Sequence, residues 1–453
     1  MGTTRANPTV RHRLTAAAVL ATGIVLVGCS PAPGTANVAT PQPSTAAPPS
    51  ATATATATAA GATEIRVPDA FTAITVRPLS AATFPFLTSD GKFHIVYDLE
   101  LTNAARVPAT IERVDVVDAA TPATVLASYS GTALVAPDCP YGDCNRLRRL
   151  PSAPATDAGI PAQESRALFV DFTLDSLDKA PKAVLHRLHG TGAINPGSTE
   201  PAPVDYLAAP LDVAAGTPRV IGPPVKGDRW VALNGCCLPG FPHRTSLSTF
   251  NGKLVNGQRF AIDWKQANEN GEFYTGDRTK NESYVDYGAP IYAVADGTIS
   301  TTLDALDPNP PGVLPAADPV LGPKITVETV DGNNIVQDIG GGAFAFYAHL
   351  QKGSLLVHPG DRVTKGQVIA KLGNTGNANA SHMHFHLMDG PSVLGSDGLP
   401  YVIDRFSYDG QVAPQALFDA DDFLGGQFLQ GRLPTPEPRT DQLPAALAIV
   451  NFP

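Results

Sequence analysis

The sequence predicts an all-β protein, in which a β-sandwich-like domain precedes a second domain of short strands. Apolar residues alternate with polar ones through residues 94–102 and again through residues 168–174, which is typical of strands with one buried face. Turn-forming clusters such as Ser89-Asp90-Gly91 separate these segments. Residues 229–430 contain further short strand patterns between glycine-rich turns, without a long amphipathic helical pattern.

Composition limits the possible classes of function. The chain has 453 residues, of which 16% are charged, and a formal net charge of −10. It lacks the basic character of a nucleic-acid-binding protein, so we expect no nucleic-acid partner. Its 43 prolines are near twice the usual share of about 5%. Its apolar runs stay below the ~18 residues that a membrane-spanning helix requires.

The N-terminus has the anatomy of an export signal. Three arginines, the last at Arg13, precede an apolar stretch over residues 14–27. That stretch leads into Gly28-Cys29, which resembles the lipobox of bacterial lipoproteins. The resemblance implies that residues 1–28 are a lipoprotein signal peptide and that Cys29 is lipidated. The mature protein would then be exported and anchored to the cell membrane, facing the cell wall. The alternative is an ordinary signal peptide with an incidental cysteine.

The rest of the chain divides by composition. Beyond Cys29, the segment up to residue 63 lacks aromatic and charged residues and cannot bury enough apolar surface to fold. The predicted organisation is a tether at 29–63, the β-sandwich domain at 64–215, a linker at 216–228, the second domain at 229–430 and an extended Pro-rich tail at 431–453.

The four cysteines after Cys29 suggest disulfides, because an even number in an exported chain is typical of oxidised pairs. Cys139 and Cys144 bracket a Pro-Tyr-Gly-Asp turn, so we expect them to pair. Cys236 and Cys237 are adjacent. They either pair with each other or remain thiols. A zinc–thiolate site is a further alternative, although a second CxxC-type pair is missing.

The strongest signal for chemistry is the segment Ser-His-Met-His-Phe-His at residues 381–386. Residues two apart on a strand share a face, so His382, His384 and His386 are predicted to lie side by side. Imidazoles in this arrangement can bind one metal ion, or one can bind while its neighbour transfers protons. The alternative is an exposed, histidine-rich strand edge.

Two further residues interrupt apolar strand patterns. His349 ends the pattern Phe-Tyr-Ala-His-Leu at 346–350, and Asp263 lies within Phe-Ala-Ile-Asp-Trp at 260–264. A buried carboxylate is costly unless it is paired or bound to a metal. Asp263 is therefore a candidate metal ligand, whereas His349 alone would be a weak signal.

Together these motifs resemble the M23 metallopeptidases of the lysostaphin/LytM type over residues 284–390. The matching stretches are YGAPIYAVADG at 287–297, YAHL at 347–350, VHPGDRVTKGQVIAKLGNTG at 357–376 and HMHF at 382–385. The resemblance implies an antiparallel β-groove that holds one Zn²⁺. It also implies a zinc metalloendopeptidase that hydrolyses peptide bonds of peptidoglycan.

The family's site residues carry over only where this chain matches its motifs. His384 resembles a zinc ligand and Asp263 the carboxylate ligand, whereas His349 and His382 resemble the catalytic pair. Arg259 stands where the family's HxxxD motif has its ligating histidine, and arginine cannot bind zinc. The lost ligand motivates an alternative function, a catalytically degenerate envelope scaffold that binds peptidoglycan or activates another hydrolase.

We expect His243 to replace the missing ligand. Asn251-Gly252 predicts a hairpin turn, and a hairpin centred near Lys253 would place His243 opposite Asp263 on the neighbouring strand. Residues opposite one another across a strand pair have side chains ~5 Å apart, which suits two ligands of one metal. His386 is a weaker candidate for the missing ligand. We expect it instead to orient a residue that binds the metal.

A polar insert at 265–283 is predicted to form a loop at the rim of the groove. The role of the 64–215 domain stays open between wall binding, partner docking and spacing.

Overall fold

The computed structural model describes residues 65, 67–136, 144–213, 216–237, 239–418 and 425–453. Strands dominate these residues, so the prediction of an all-β chain is confirmed. The predicted signal peptide, Cys29, the tether and Cys139 lie outside the described residues. Among the described residues, no helix has the length and apolar character needed to cross a membrane.

The strands of the N-terminal part form two six-stranded sheets, here called the N-terminal sheet pair. One sheet has the order β1-β4-β10-β7-β8 with β3 beside β4, and the other has β2-β12-β11-β5-β6 with β9 beside β5. The strands are β1 Ile74–Pro78, β2 Ala82–Thr83, β3 Phe86–Leu87, β4 Phe93–Asn103, β5 Ala109–Asp118, β6 Thr121–Ser130, β7 Leu147–Arg149, β8 Ala153–Pro154, β9 Gly159–Ile160, β10 Ser165–Leu174, β11 Ala183–Gly192 and β12 Ala202–Val213.

The two sheets enclose a common apolar core. Tyr97 and Leu168 of one sheet lie in the same buried cluster as Val116 and Leu188 of the other. The alternation predicted along residues 94–102 and 168–174 therefore reflects strands whose apolar face covers this core.

The C-terminal part is built on one twelve-stranded sheet, here called the main sheet. Its order is β13-β26-β28-β14-β17-β24-β21-β20-β19-β22, with β25 beside β24 and β27 beside β26. Two small pairs, β15-β16 and β18-β23, accompany it. The strands are β13 Arg219–Ile221, β14 Gly227–Leu233, β15 Ser248–Phe250, β16 Lys253–Val255, β17 Ile262–Gln266, β18 Pro290–Tyr292, β19 Gly297–Leu303, β20 Asn333–Asp338, β21 Phe344–Leu350, β22 Arg362–Val363, β23 Val368–Lys371, β24 Met383–Met388, β25 Gly398–Leu399, β26 Tyr401–Gln411, β27 Arg432–Gln442 and β28 Ala448–Phe452.

Helical structure among the described residues is confined to short segments. The α-helix α1 spans Pro414–Phe418. The 3₁₀ turns span Gly131–Ala133, Leu177–Lys179, Asn281–Ser283, Pro315–Ala317 and Gly322–Lys324.

The predicted linker and tail both contribute strands to the main sheet, which corrects the sequence-based expectation. Within the predicted linker, β13 pairs in parallel with β26. The predicted tail forms β27 and β28, and β28 pairs with both β14 and β26. The tail prediction was wrong because its prolines lie on β27. Among the described residues this strand pairs with β26 alone, so it is an edge strand that tolerates proline. The following strand, β28, is apolar and mostly buried.

Three neighbouring strands of the main sheet, β17, β24 and β21, bring together Asp263, His384 and His349. The Cα of His384 on β24 is registered with Asp263 on β17 and with Ala348 on β21. On the opposite face of these strands, Trp264 and Phe385 are fully buried in the apolar core. This packing fixes the register, because a slip by one residue would turn the polar side chains into the core.

Candidate active site

His384 and Asp263 form the centre of a polar cluster on one face of the main sheet. His384 is 3% exposed and Asp263 is 8% exposed. His384 Nδ1 lies 2.9 Å from Asp263 Oδ1. The two side chains are in contact because the pairing of β17 with β24 places Asp263 directly opposite His384.

His243 completes a group of three residues that can hold a metal ion. Its Nε2 lies 3.4 Å from Asp263 Oδ2, and the ligand atoms of His243, Asp263 and His384 lie within 4.8 Å of one another. Zinc bonds of ~2.0–2.2 Å in tetrahedral geometry place neighbouring ligand atoms roughly 3.4 Å apart. The donor set and its spacing therefore fit a zinc ion.

Further hydrogen bonds hold these three side chains in place. His243 Nδ1 donates to the carbonyl of Ala261 at 3.1 Å, which leaves Nε2 with its lone pair. His384 Nε2 lies 3.0 Å from His386 Nδ1. Asn234 Nδ2 donates to Asp263 Oδ2 at 2.7 Å. Hydrogen bonds of this kind orient the residues that bind a metal and select their tautomers.

The structure brings His243 to Asp263, but not by the predicted strand pairing. A hairpin turn is present at Asn251 and Gly252, where φ is positive at both residues, as type I′ turns require. Among the described residues, the hydrogen-bonded ladder of this hairpin extends over β15 and β16 alone. The segments before β15 and after β16 form turns instead of continuing the ladder. The neighbours of β17 are β14 and β24. His243 therefore reaches the site from a loop, and the predicted opposition across a hairpin was wrong.

Arg259, which stands where the related motif has histidine, lies outside the polar cluster. Its guanidinium donates to Asp98 Oδ2 at 2.9 Å and to Asp397 Oδ1 at 3.0 Å. The side chain is 3% exposed. Its positive charge is thus neutralised away from the cluster, where it does not compete with a cation.

His349 and His382 lie beside the three residues, as a second pair of imidazoles with a centroid separation of 4.6 Å. His349 Nδ1 donates to the carbonyl of Thr375 at 2.8 Å, and His382 Nδ1 donates to the carbonyl of Ala380 at 2.9 Å. A carbonyl can only accept, so each Nδ1 carries the proton and each Nε2 keeps a lone pair. Either Nε2 can therefore accept a proton.

The charges of the cluster follow from burial and from mutual contact. Burial by itself would raise the pKa of Asp263, but its contacts with His243 and His384 hold that pKa well below its usual range. Burial, reinforced by the neighbouring imidazoles, lowers the pKa of His349 well below its usual range. Burial also lowers the pKa of His382. The cluster is thus an anionic carboxylate next to a pair of neutral imidazoles at neutral pH.

His349 is held in an unusual backbone conformation. Its φ is +61°, and its backbone N–H donates to the carbonyl of Asp331 at 3.1 Å. Such a conformation costs on the order of 1–3 kcal/mol in a residue other than glycine and is concentrated at functional sites. Burial raises the pKa of the Asp331 carboxyl to about 6. Asp331 was not among the residues that the sequence patterns indicated.

A buried lysine and aspartate hold the residues just before β24, where His382 lies. Lys265 Nζ donates to the carbonyl of Ser381, and Ser381 Oγ donates to Asp286 Oδ1 at 2.7 Å. Lys265 lies 3.8 Å from Asp286 and over the ring of Tyr284. The predicted surface insert at 265–283 therefore starts on β17 with a buried residue, because the ammonium finds a carboxylate and a carbonyl inside.

The adjacent cysteines Cys236 and Cys237 form a disulfide. They are not free to serve as the thiolates of a zinc site, which removes that alternative for these two residues. The expected pairing of Cys139 with Cys144 stays a prediction.

The segment that contains the paired imidazoles matches a known family. Residues 283–394 match the model of peptidase family M23. This segment is an M23 peptidase domain. It contains His349, His382 and His384, whereas His243 and Asp263 precede it.

Several solved structures are similar to the chain at low sequence identity. The catalytic domain of a mutant of the prophage-encoded M23 protein EnpA from Enterococcus faecalis is 15% identical, covers 41% of this chain and 92% of its own, and has a TM-score of 0.20. The catalytic domain of the antimicrobial peptidase lysostaphin from Staphylococcus simulans is 20% identical, with coverages of 33% and 80% and a TM-score of 0.20. A zinc-containing peptidase from Vibrio cholerae is 12% identical, with coverages of 70% and 86% and a TM-score of 0.19.

Proposed function

We propose that the M23 domain and the strands that complete it form a zinc-dependent endopeptidase that hydrolyses peptide bonds of peptidoglycan at the cell envelope. The observation that carries the proposal is the convergence of His243, Asp263 and His384 beside the neutral imidazoles of His349 and His382. The family match supports a metallopeptidase. The peptidoglycan substrate follows from the resemblance of the motifs and from the predicted export.

His243 Nε2, the Asp263 carboxylate and His384 Nδ1 are the atoms that would hold zinc. With zinc held by these three residues, a position for water would remain, as in catalytic zinc sites. When bound, zinc would act as a Lewis acid that polarises the peptide carbonyl and lowers the pKa of its bound water to about 7.

His349 and His382 supply the proton transfers. The Nε2 of either residue can take a proton from the attacking water and return it to the leaving amine. Once protonated, the imidazole can donate a hydrogen bond to the oxygen on which negative charge develops. The carbonyls of Thr375 and Ala380 hold both rings with Nε2 available for this purpose.

The alternative function, a degenerate envelope scaffold, was motivated by Arg259. The structure turns that side chain toward Asp98 and Asp397 and places His243 beside Asp263. The substitution thus no longer favours a site without metal, and the peptidase is the function that the geometry supports best.

We further propose that the lipid on Cys29 anchors the protein and that the 29–63 segment is a tether. A Pro-rich chain of this length can extend ~3 Å per residue, or roughly 100 Å. Such a reach would place the groove within the cell wall.

Hydrolysis by the zinc-loaded protein tests the proposed function. We expect the wild type to clear a peptidoglycan zymogram and to release new amino groups from the wall peptides. His384→Ala should do neither, because it removes a metal ligand. His358→Ala is the matched control, since the His358 side chain is 84% exposed and outside the site, and it should behave as wild type. A wild type that holds zinc but releases no amino groups would favour the scaffold.

His386 is expected to orient His384 rather than to bind the metal itself. With His384 Nδ1 on the metal, its Nε2 would keep the proton and donate to His386 Nδ1, 3.0 Å away, and His386 is fully buried. Residues that hold a ligand in this way typically contribute about 10–100-fold to metal affinity. We therefore expect His386→Ala to weaken zinc binding by about that factor, measured by competition with a chromophoric chelator. Affinity equal to that of His358→Ala would show that His386 has no such role.

A further inference from the structure

A buried carboxylate of the N-terminal sheet pair contacts the loop that carries His243. Asp98 lies on β4 and is 0% exposed. Its Oδ1 accepts from Arg244 Nη1 at 2.5 Å, and its Oδ2 accepts from Arg259 Nε at 2.9 Å and from Asn256 Nδ2 at 3.0 Å. The three donors come from the C-terminal part of the chain. One carboxylate of the first domain thus gathers three side chains of the second.

The side chain of Arg244 enters the N-terminal sheet pair. Besides the bond to Asp98, its Nη2 donates to the carbonyls of Tyr97 and Val170 at 3.1 Å each. The guanidinium lies 4.7 Å from the ring centroid of Phe169. The side chain is 1% exposed. A charge buried this deeply is stable only while its partner is present, so Arg244 depends on Asp98.

Arg244 is joined to His243 by a single peptide bond, and the two side chains reach opposite sites. His243 reaches Asp263, and Arg244 reaches Asp98. A second route joins the same residues, because Ser246 Oγ donates to the carbonyl of His243 at 2.9 Å and contacts Asn256 Oδ1 at 3.0 Å. Asn256 in turn donates to Asp98. The loop is thus held to Asp98 by two routes, through Arg244 and through Asn256, both of which follow His243 in the chain.

We propose that Asp98 is a positioning residue of the metal site, through which the N-terminal sheet pair fixes the ligand His243. The inference rests on the proposed function for the role of His243. Functional side chains must be held within about 0.5 Å of their working geometry by the residues around them. His243 lies on a loop rather than on the main sheet, so Arg244, Asn256 and Asp98 supply the rigidity that β17 and β24 supply to the other two ligands.

The same contacts suggest why an arginine occupies position 259. Because His243 supplies the metal ligand that the family motif places at position 259, Arg259 is free to provide a second cation for the Asp98 carboxylate. Burial by itself would raise the pKa of Asp98, but Arg244 and Arg259 hold it below its usual value, so the carboxylate stays charged at neutral pH. The departure from the family motif and the contact between the domains are thus two aspects of one arrangement.

The test compares Asp98→Asn with Ser89→Ala in the full chain. Asp98→Asn keeps the shape of the side chain but removes the charge that holds Arg244, so zinc affinity should fall about 10–100-fold. Ser89→Ala is the matched control: Ser89 Oγ accepts from the backbone N–H of Ala445 at 2.9 Å, a contact between the same two parts of the chain that does not involve the loop of His243. Its zinc affinity should equal that of wild type.

Two further readouts keep the proposal falsifiable if Asp98→Asn folds poorly. Arg244→Gln leaves Asp98 paired with Arg259, and it should weaken zinc binding by a similar factor. The visible absorption of the cobalt-substituted protein should change in both variants, because it reports the ligand geometry. Folded variants with wild-type zinc affinity and an unchanged cobalt spectrum would overturn the proposal. A wild type that binds no zinc would instead overturn the proposed function.

Discussion

His243→Ala should lose its bound zinc and its hydrolysis together. Loss of a residue that only orients a ligand typically costs ~10–100-fold in activity. His243→Ala should lose more than that, because it removes an atom that binds the metal. Zinc content of the purified protein, measured by mass spectrometry, and release of amino groups from peptidoglycan are the two readouts. His358→Ala should retain both, since its imidazole is exposed.

Restoring the family motif should not rescue this variant. The Arg259 side chain contacts Asp98 and Asp397 rather than Asp263, so we expect a histidine at that position to lie away from the ligand residues. The double variant His243→Ala/Arg259→His should therefore remain without zinc. Recovery of zinc and activity in the double variant would show that position 259 reaches the site. Full zinc content in His243→Ala alone would remove this residue from the ligand set.

His382→Ala and His349→Ala should lose rate but keep the metal. Their imidazoles lie beside the three ligand residues and transfer protons, a contribution worth about 10²–10⁴-fold in rate. We expect kcat to fall by that amount with zinc content unchanged, in contrast to His243→Ala. Loss of zinc from either variant would instead assign its imidazole to the metal.

The pH profile gives an independent check on the same two residues. Burial lowers the pKa of both imidazoles, and their neighbours reinforce the shift at His349. A base with a lowered pKa stays neutral to lower pH, so the acid limb of kcat/KM should lie below the ordinary imidazole value of about 6.5. An acid limb at or above that value would contradict the assignment of neutral imidazoles at neutral pH.

The centre of the site was predictable from the sequence because local periodicity determines it. The spacing of His382, His384 and His386 places them on one face wherever the segment forms a strand. Asp263 stood out because a carboxylate inside an apolar strand needs a partner. The structure adds the register between β17 and β24, which puts His384 directly beside Asp263.

Residues that enter through distant contacts were harder to predict. The bond that directs Arg244, and with it His243, joins residues 146 positions apart. Such pairing leaves no local pattern, and the hairpin assumption gave the correct neighbour for a wrong reason. Asn234 was missed in the same way, since its contact with Asp263 depends on the pairing of β14 with β17.

The C-terminal strands show how composition can mislead. Prolines in β27 suggested an extended tail, but an edge strand with one paired side accepts proline without losing ladder bonds on that side. The apolar run in β28 was the better signal, because it fills a position between β14 and β26.

The most direct test of the proposed ligand set is anomalous diffraction at the zinc absorption edge from crystals of the full chain. We predict one peak within bonding distance of His243 Nε2, the Asp263 carboxylate and His384 Nδ1, with His349 and His382 nearby and unbound. A peak that excludes His243, or a zinc ion bound by His349 or His382, would contradict the ligand set on which the proposed peptidase depends.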